Sequence, residues 1–220
     1  EALRHLAQLV PVHLIASTGY THVDSSLESV SRVETELVRG IGESGILPGL
    51  AMSSADTRVA PAIARVAVAA GVPVMVTAAN PRSAFQAINA IAVEGGEPSR
   101  TIVGGFTDDF SLDLARELAE TGVFVSIDRV GHGDSEADRA RARLVVELNN
   151  LGFGDQVLIS QRLGSPGEFV SRGGTPGWIH LLERFAIQIL EAGGDGALVR
   201  QLLVDNQAKA LTVLPPTAPA

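Results

Sequence analysis

Short runs rich in β-branched and other apolar residues alternate along the chain with longer stretches of helical period. The runs span residues 12–16, 47–53, 73–77, 101–106, 123–128 and 156–161. The helical stretches span 27–41, 60–70, 83–94, 112–121, 136–151 and 178–192. Most runs are continuously apolar rather than alternating, as in parallel strands buried on both faces. Six strands interleaved with helices predict a parallel α/β architecture. Gly71, Gly122 and Gly152 each follow a helical stretch and precede a strand, where a left-handed cap is expected.

Polar residues gather just past the strands: Thr18 to Tyr20, Ser53 and Ser54, Thr77, Asp108 and Asp109, Asp128 and Arg129, Gln161 and Arg162. In parallel α/β folds the carboxyl ends of strands carry the sites. Such residues also cap the next helix, and capping is the expected task of Asp108 and Asp109 ahead of Leu112. One domain over residues 1–213 is expected, followed by a loose tail, 214–220, with three prolines. The segment 1–10 reads as the middle of an element, and the start at Glu1, without Met, reads as processed or trimmed.

Composition narrows the function classes. A chain of 220 residues with 45% hydrophobic positions can bury a full core, although it has few aromatics. The net charge of −8 argues against a nucleic-acid footprint and against attraction to an anionic membrane. The apolar stretch 59–76 is broken by Pro61, Arg65 and Pro73, so it reads as helix then strand rather than a membrane span. No signal peptide is visible, and a cytoplasmic location is expected. The absence of cysteine excludes disulfides, thiolate metal sites and a thiol nucleophile. Among 17 basic residues only one, Lys209, is a lysine.

Common motifs are missing. There is no G-x-G-x-x-G after a strand, no P-loop, no H-E-x-x-H and no G-x-S-x-G. The five histidines show no short ligand spacing.

A set of segments, in order from Ile15 to Ala208, resembles the phosphotriesterase-like branch of the amidohydrolase superfamily. Ile15-Ala16-Ser17-Thr18-Gly19-Tyr20 resembles its third barrel strand, and Ser44-Gly45-Ile46 with Gly49 and Gly71-Val72-Pro73-Val74 follow in the family's order. The stretch 102–109 is similar to I-G-H-x-D-D, Ile127-Asp128-Arg129-Val130-Gly131 to F-D-R-x-G, and 158–164 to L-x-S-x-D-L-G. Val204-Asp205-Asn206-Gln207-Ala208 resembles the closing D-N-P-A. The resemblance implies a TIM-type (β/α)8 barrel, of which about six strand–helix units, resembling strands three to eight, lie in this chain. The first two strands would precede Glu1.

The family also implies two divalent metals at the barrel mouth. They are held by an H-x-H pair on strand one, a carboxylated lysine on strand four, histidines on strands five and six and an aspartate on strand eight. By the resemblance the lysine falls on Met52, the histidines on Thr77 and Phe106, and the aspartate on Arg162. The H-x-H pair has no counterpart, and Lys209 lies too near the C-terminus to bridge metals. Thioether, hydroxyl, phenyl and guanidinium do not make a divalent site, so no metal or other cofactor is expected.

A buried Arg162 would need a partner, and Asp128 on the adjacent strand is the expected one. Alternatively Arg162 binds an anionic ligand group with planar bidentate geometry. Tyr20, Met52, Thr77, Phe106, Asp128 and Arg162 are the candidate ligand pocket; Asp128, His22 and His132 are the candidates for acid–base work. His180 is expected to pack or cap a helix. Three functions stay open: a metal-free small-molecule-binding or scaffold protein, a hydrolase or lyase with reassigned metal-independent chemistry, and a metal-dependent lactonase or phosphotriesterase-type hydrolase completed by residues before Glu1. The expected partners are a small-molecule ligand, anionic where Arg162 binds it, and a second copy, or another chain, that completes the barrel.

Overall fold

The computed structural model describes residues 2–9, 12–19, 27–106 and 110–217. They fall into two compact units, 1–77 with 82–101 and 211–220, and 78–81 with 102–210. The first carries helix α1 (Ala2–Leu9), strand β1 (Ser17–Gly19), α2 (Leu27–Arg39), β2 (Leu50–Ser54), α3 (Val59–Ala70), β3 (Val74–Thr77) and most of α4 (Pro81–Val93). The second carries most of β4 (Thr101–Gly104), then α5 (Leu112–Glu120), β5 (Phe124–Ile127), α6 (Ser135–Asn150), β6 (Val157–Ile159), α7 (Ala186–Glu191), α8 (Gly196–Arg200) and α9 (Asn206–Ala210).

In the first unit β1, β2 and β3 pair in parallel in chain order, with Gly19 opposite Met52 and Met52 opposite Met75. One face of these strands is sealed by helices. Ala51, Val74 and Val76 meet Val33 and Leu37 of α2, Ile63, Ala64 and Ala67 of α3, and Ala87 and Ile91 of α4. Alanines on α3 let its backbone approach the strands closely, and each fully buried Val or Ile adds about 1.5–3 kcal/mol over leaving it exposed. Met52, Met75 and Thr77 alternate to the other face and are half-buried. Gly71 ends α3 at φ 72°, and a Cβ there would stand 2.1 Å from the Leu214 carbonyl. That approach lets Leu214 N donate back to Gly71 O (2.8 Å), while Thr217 N donates to Ala69 O (3.1 Å).

In the second unit β4, β5 and β6 also pair in parallel in chain order, with Val103 opposite Val125 and Val125 opposite Val157. All three are buried, together with Leu118 of α5, Leu148 of α6, Ile189 of α7, Phe185 and Leu202. Asp134 starts α6 by accepting from the backbone of Glu136 and Ala137 (3.0 and 2.9 Å). Near the chain end Asn206 is 2% exposed, and its amide donates to the carbonyls of Gly154 and Val157, both at 2.7 Å.

The structure shifts some expected elements. The strand expected at 12–16 is irregular there, with Ala16 O accepting from Gly49 N (2.9 Å), and the ladder forms instead at β1, where Ser17 to Gly19 pair with β2. The helix expected over 178–192 opens with a wide π-helical turn, Leu181–Phe185, before α7. Ser111, accepting from Leu114 N, caps α5. Asp108 and Asp109, expected to do so, lie outside the described residues. The element expected within 1–10 is helix α1, whereas the hydrophobic period assigned nothing to α8 or α9. Among the described residues no helix is long and apolar enough to cross a membrane.

Candidate functional site

The carboxyl ends of β4 and β5 are tied together by one buried carboxylate. Asp128, just past β5, accepts from the Ser126 hydroxyl at Oδ1 (2.6 Å) and from Gly105 N at Oδ2 (2.7 Å). Below it lies a cavity of about 310 Å³, lined by Phe106, Phe110, Ser126, Asp128, Arg141 and Leu144 among others. Phe106 stacks on Phe110 with ring centroids 4.5 Å apart. A space of this size, whose wall also carries the charged Arg143 and Glu147, is at the small end of ligand pockets.

Two arginines stand at the neighbouring turns. Arg129 (φ 64°) and Arg162 (φ 50°) are the non-glycine residues with left-handed backbone among those described. That conformation costs a residue with a Cβ about 1–2 kcal/mol. Both side chains are exposed. The two turns are joined by Val130 N donating to Ser160 O (3.0 Å) and by His132 against Gln161 O (2.8 Å). A carbonyl oxygen only accepts, so His132 Nε2 carries the proton.

A second buried carboxylate fixes the first turn. Asp138 on α6, 3% exposed, accepts from Gly131 N (2.9 and 3.1 Å), from Arg141 Nη1 (2.9 Å) and from His180 Nε2 (2.7 Å). Arg141 also donates to the His132 carbonyl (3.1 Å). Beyond β6, Glu168 accepts from the backbone of Gly164 and Ser165 (2.7 and 2.6 Å) and approaches His132 Nδ1 at 3.6 Å. These two backbone donors are the main reason its carboxyl titrates below the usual range.

The predicted residues divide accordingly. Phe106 and Asp128 share one cavity. The expected Asp128–Arg162 ion pair is not formed: Ser126 and Gly105 hold both oxygens of Asp128, and Arg162 points to solvent, where it needs no buried partner. His132 is a brace between turns, with both ring nitrogens facing protein atoms. His180 packs as expected, but onto Asp138 rather than a helix end. Met52 and Thr77 lie in the first unit, half-buried on adjacent strands. Tyr20 and His22 lie outside the described residues. Asp138, Arg141 and Glu168 were not singled out from the sequence. In a helical first turn Asp138 reads as an ordinary capping charge, and only its burial reveals the hub. Arg129 stands in the F-D-R-x-G-like segment, yet nothing in the sequence signals its backbone.

Comparison with known proteins agrees with the strand-end motifs. An N-acetyltaurine hydrolase of Tetraodon nigroviridis is 24% identical over 239 residues, covering 96% of this chain and 68% of that protein. The phosphotriesterase homology protein of Escherichia coli strain K12 is 22% identical over 216 residues, covering 90% of this chain and 74% of its own. The crystal structure of the Escherichia coli protein, with phosphate in its active site, superposes with a TM-score of 0.86 at 19% identity, covering 96% of this chain and 78% of that one. A resiniferatoxin-binding protein from Rhodobacter sphaeroides gives 0.79 at 21% identity, covering 95% and 66%. The fold is therefore the parallel α/β barrel type expected, with six strand–helix units among the described residues. A profile of the phosphotriesterase family matches residues 1–211, and the chain belongs to that family.

Proposed function

We propose that this chain is a metal-free member of the family that binds a small molecule at the strand ends of its second unit. The observation that carries this reading is the chemistry at the positions the family uses for metal. Met52 offers a thioether, Thr77 a neutral hydroxyl, Phe106 nothing, and Arg162 a permanent positive charge. Among the described residues no group of three or more His, Asp or Glu could hold a metal ion. The residues present do not fit the two cations, and no step through them follows. The pocket of about 310 Å³ beside Asp128 supports binding.

A hydrolase reading has the names of the relatives in its favour. Against it stand the committed side chains: Asp128 and His132 are both engaged in structural hydrogen bonds, leaving neither poised as a general base. Elemental analysis of protein expressed with added zinc and manganese tests the proposal. Metal well below one ion per chain is the expected result; stoichiometric zinc or manganese overturns it.

A further inference from the structure

We infer that Arg129 and Arg162 form a two-guanidinium clamp for a small oxyanion, a carboxylate or phosphate group of the ligand; this rests on the metal-free reading above. The first support is backbone strain at both positions. Glycine would adopt φ 64° or 50° without cost, yet each turn carries the bulkiest of the cationic side chains. Strain held at two adjacent strand ends is what a binding site tolerates and a plain turn does not need.

The second support is charge. Among the described residues, three carboxylates of the surrounding turns are spent elsewhere. Asp128 faces Ser126 and Gly105, Asp138 faces Gly131, Arg141 and His180, and Glu168 faces Gly164, Ser165 and His132. Among the described residues neither Arg129 nor Arg162 has a partner. Both guanidiniums are exposed on turns that the Val130–Ser160 bond joins, and a planar fork is suited to an oxyanion.

The third support is rigidity. Asp138 holds the Arg129 turn at Gly131, whose N–H it accepts, and Gln161, next to Arg162, is fixed on both sides. Its carbonyl takes His132 Nε2 and its amide donates to Gly177 O (2.6 Å). A clamp fixed in advance loses little freedom when it binds.

The test titrates inorganic phosphate and, separately, acetate into the purified chain at low ionic strength, by calorimetry and ligand NMR. Saturable binding of either ion is expected, and the one bound more tightly names the anion class. Arg129→Ala and Arg162→Ala should each weaken it about tenfold or more, whereas Arg200→Ala, whose residue pairs with Asp205 on α8 and its following turn, should not. Arg129→Gly and Arg162→Gly separate binding from folding. Relieved of strain, they should keep or raise Tm while losing the anion. Binding of neither ion, or binding unchanged in both alanine variants, overturns the clamp and leaves the metal-free reading standing. So does a fall in Tm of the glycine variants with anion affinity retained. Stoichiometric metal in the same sample overturns that reading instead.

Discussion

Asp138 shows how far a single side chain can organise a site. Its carboxylate is 3% exposed and accepts hydrogen bonds from three directions, so each donor depends on it. Asp138→Ala would strand the Arg141 guanidinium with one partner fewer and leave Gly131 N unpaired. Breaking a buried ion pair from one side costs about 3–5 kcal/mol. The low end, about 3 kcal/mol, is expected here because Arg141 keeps its bond to the His132 carbonyl. Urea unfolding of the variant checks it, and a loss under 1 kcal/mol would show the hub to be dispensable. Asn206→Ala removes the two donors that hold Gly154 and Val157, each bond worth about 1 kcal/mol, so a loss of about 2 kcal/mol is expected by the same measurement. At this scale the sequence was only partly legible. Asn206 stands out within the D-N-P-A-like segment, and Asp128 within F-D-R-x-G. The direction in which Asp128 turns depends on Gly105 of another strand, a contact no local pattern encodes. Arg162 was expected inside because the position it fills is internal in the family, but its left-handed backbone turns the side chain outward.

Element boundaries follow the same logic. Runs that pair along their length, such as β3 and β5, begin and end within a residue of the hydrophobic pattern. The first strand did not, since apolar Leu14 and Ile15 remain exposed and only the small Ser17 to Gly19 segment fits beside β2. Gly19 is decisive there: a Cβ would sit 1.9 Å from the Met52 carbonyl. The element beyond β6 carries its own pH sensitivity. Glu168 closes it by accepting from Gly164 and Ser165, which lowers its pKa. A carboxylate with a depressed folded pKa adds stability that is complete above about 4.3, its unfolded value, and fades as pH falls through the folded one. Trp178 stacks on Phe169 within the same segment and is the sole tryptophan, so its fluorescence reports the loop directly. Acidification should shift that emission before global unfolding, and Glu168→Ala should show the acid-type emission already at neutral pH. An identical titration in wild type and variant would remove Glu168 from this role.

For the whole molecule, fold and site part company. The parallel α/β arrangement was legible because it is written in hydrophobic period and in glycine caps, which depend on local chemistry repeated many times. The family's metals depend on single residues, and the metal-free proposal rests on the side chains that the resemblance places at those positions. A consequence for stability follows. A metal bound only by the folded state stabilises it by about 4 kcal/mol at a thousandfold excess over Kd. In a chain of this size each kcal/mol moves Tm by about 2–4 °C, so a working metal site would raise Tm by about 8–16 °C. The metal-free reading predicts no such rise: Tm should be the same with excess zinc, with manganese and with a chelator. Arg162 sharpens the comparison, because Arg162→Asp restores a carboxylate at the family's strand-eight position while Met52, Thr77 and Phe106 still offer none. If one ligand were all that is lacking, zinc should then raise Tm. If the whole set has gone, Tm should stay indifferent to metal, since a single carboxylate cannot hold a cation that needs several converging donors.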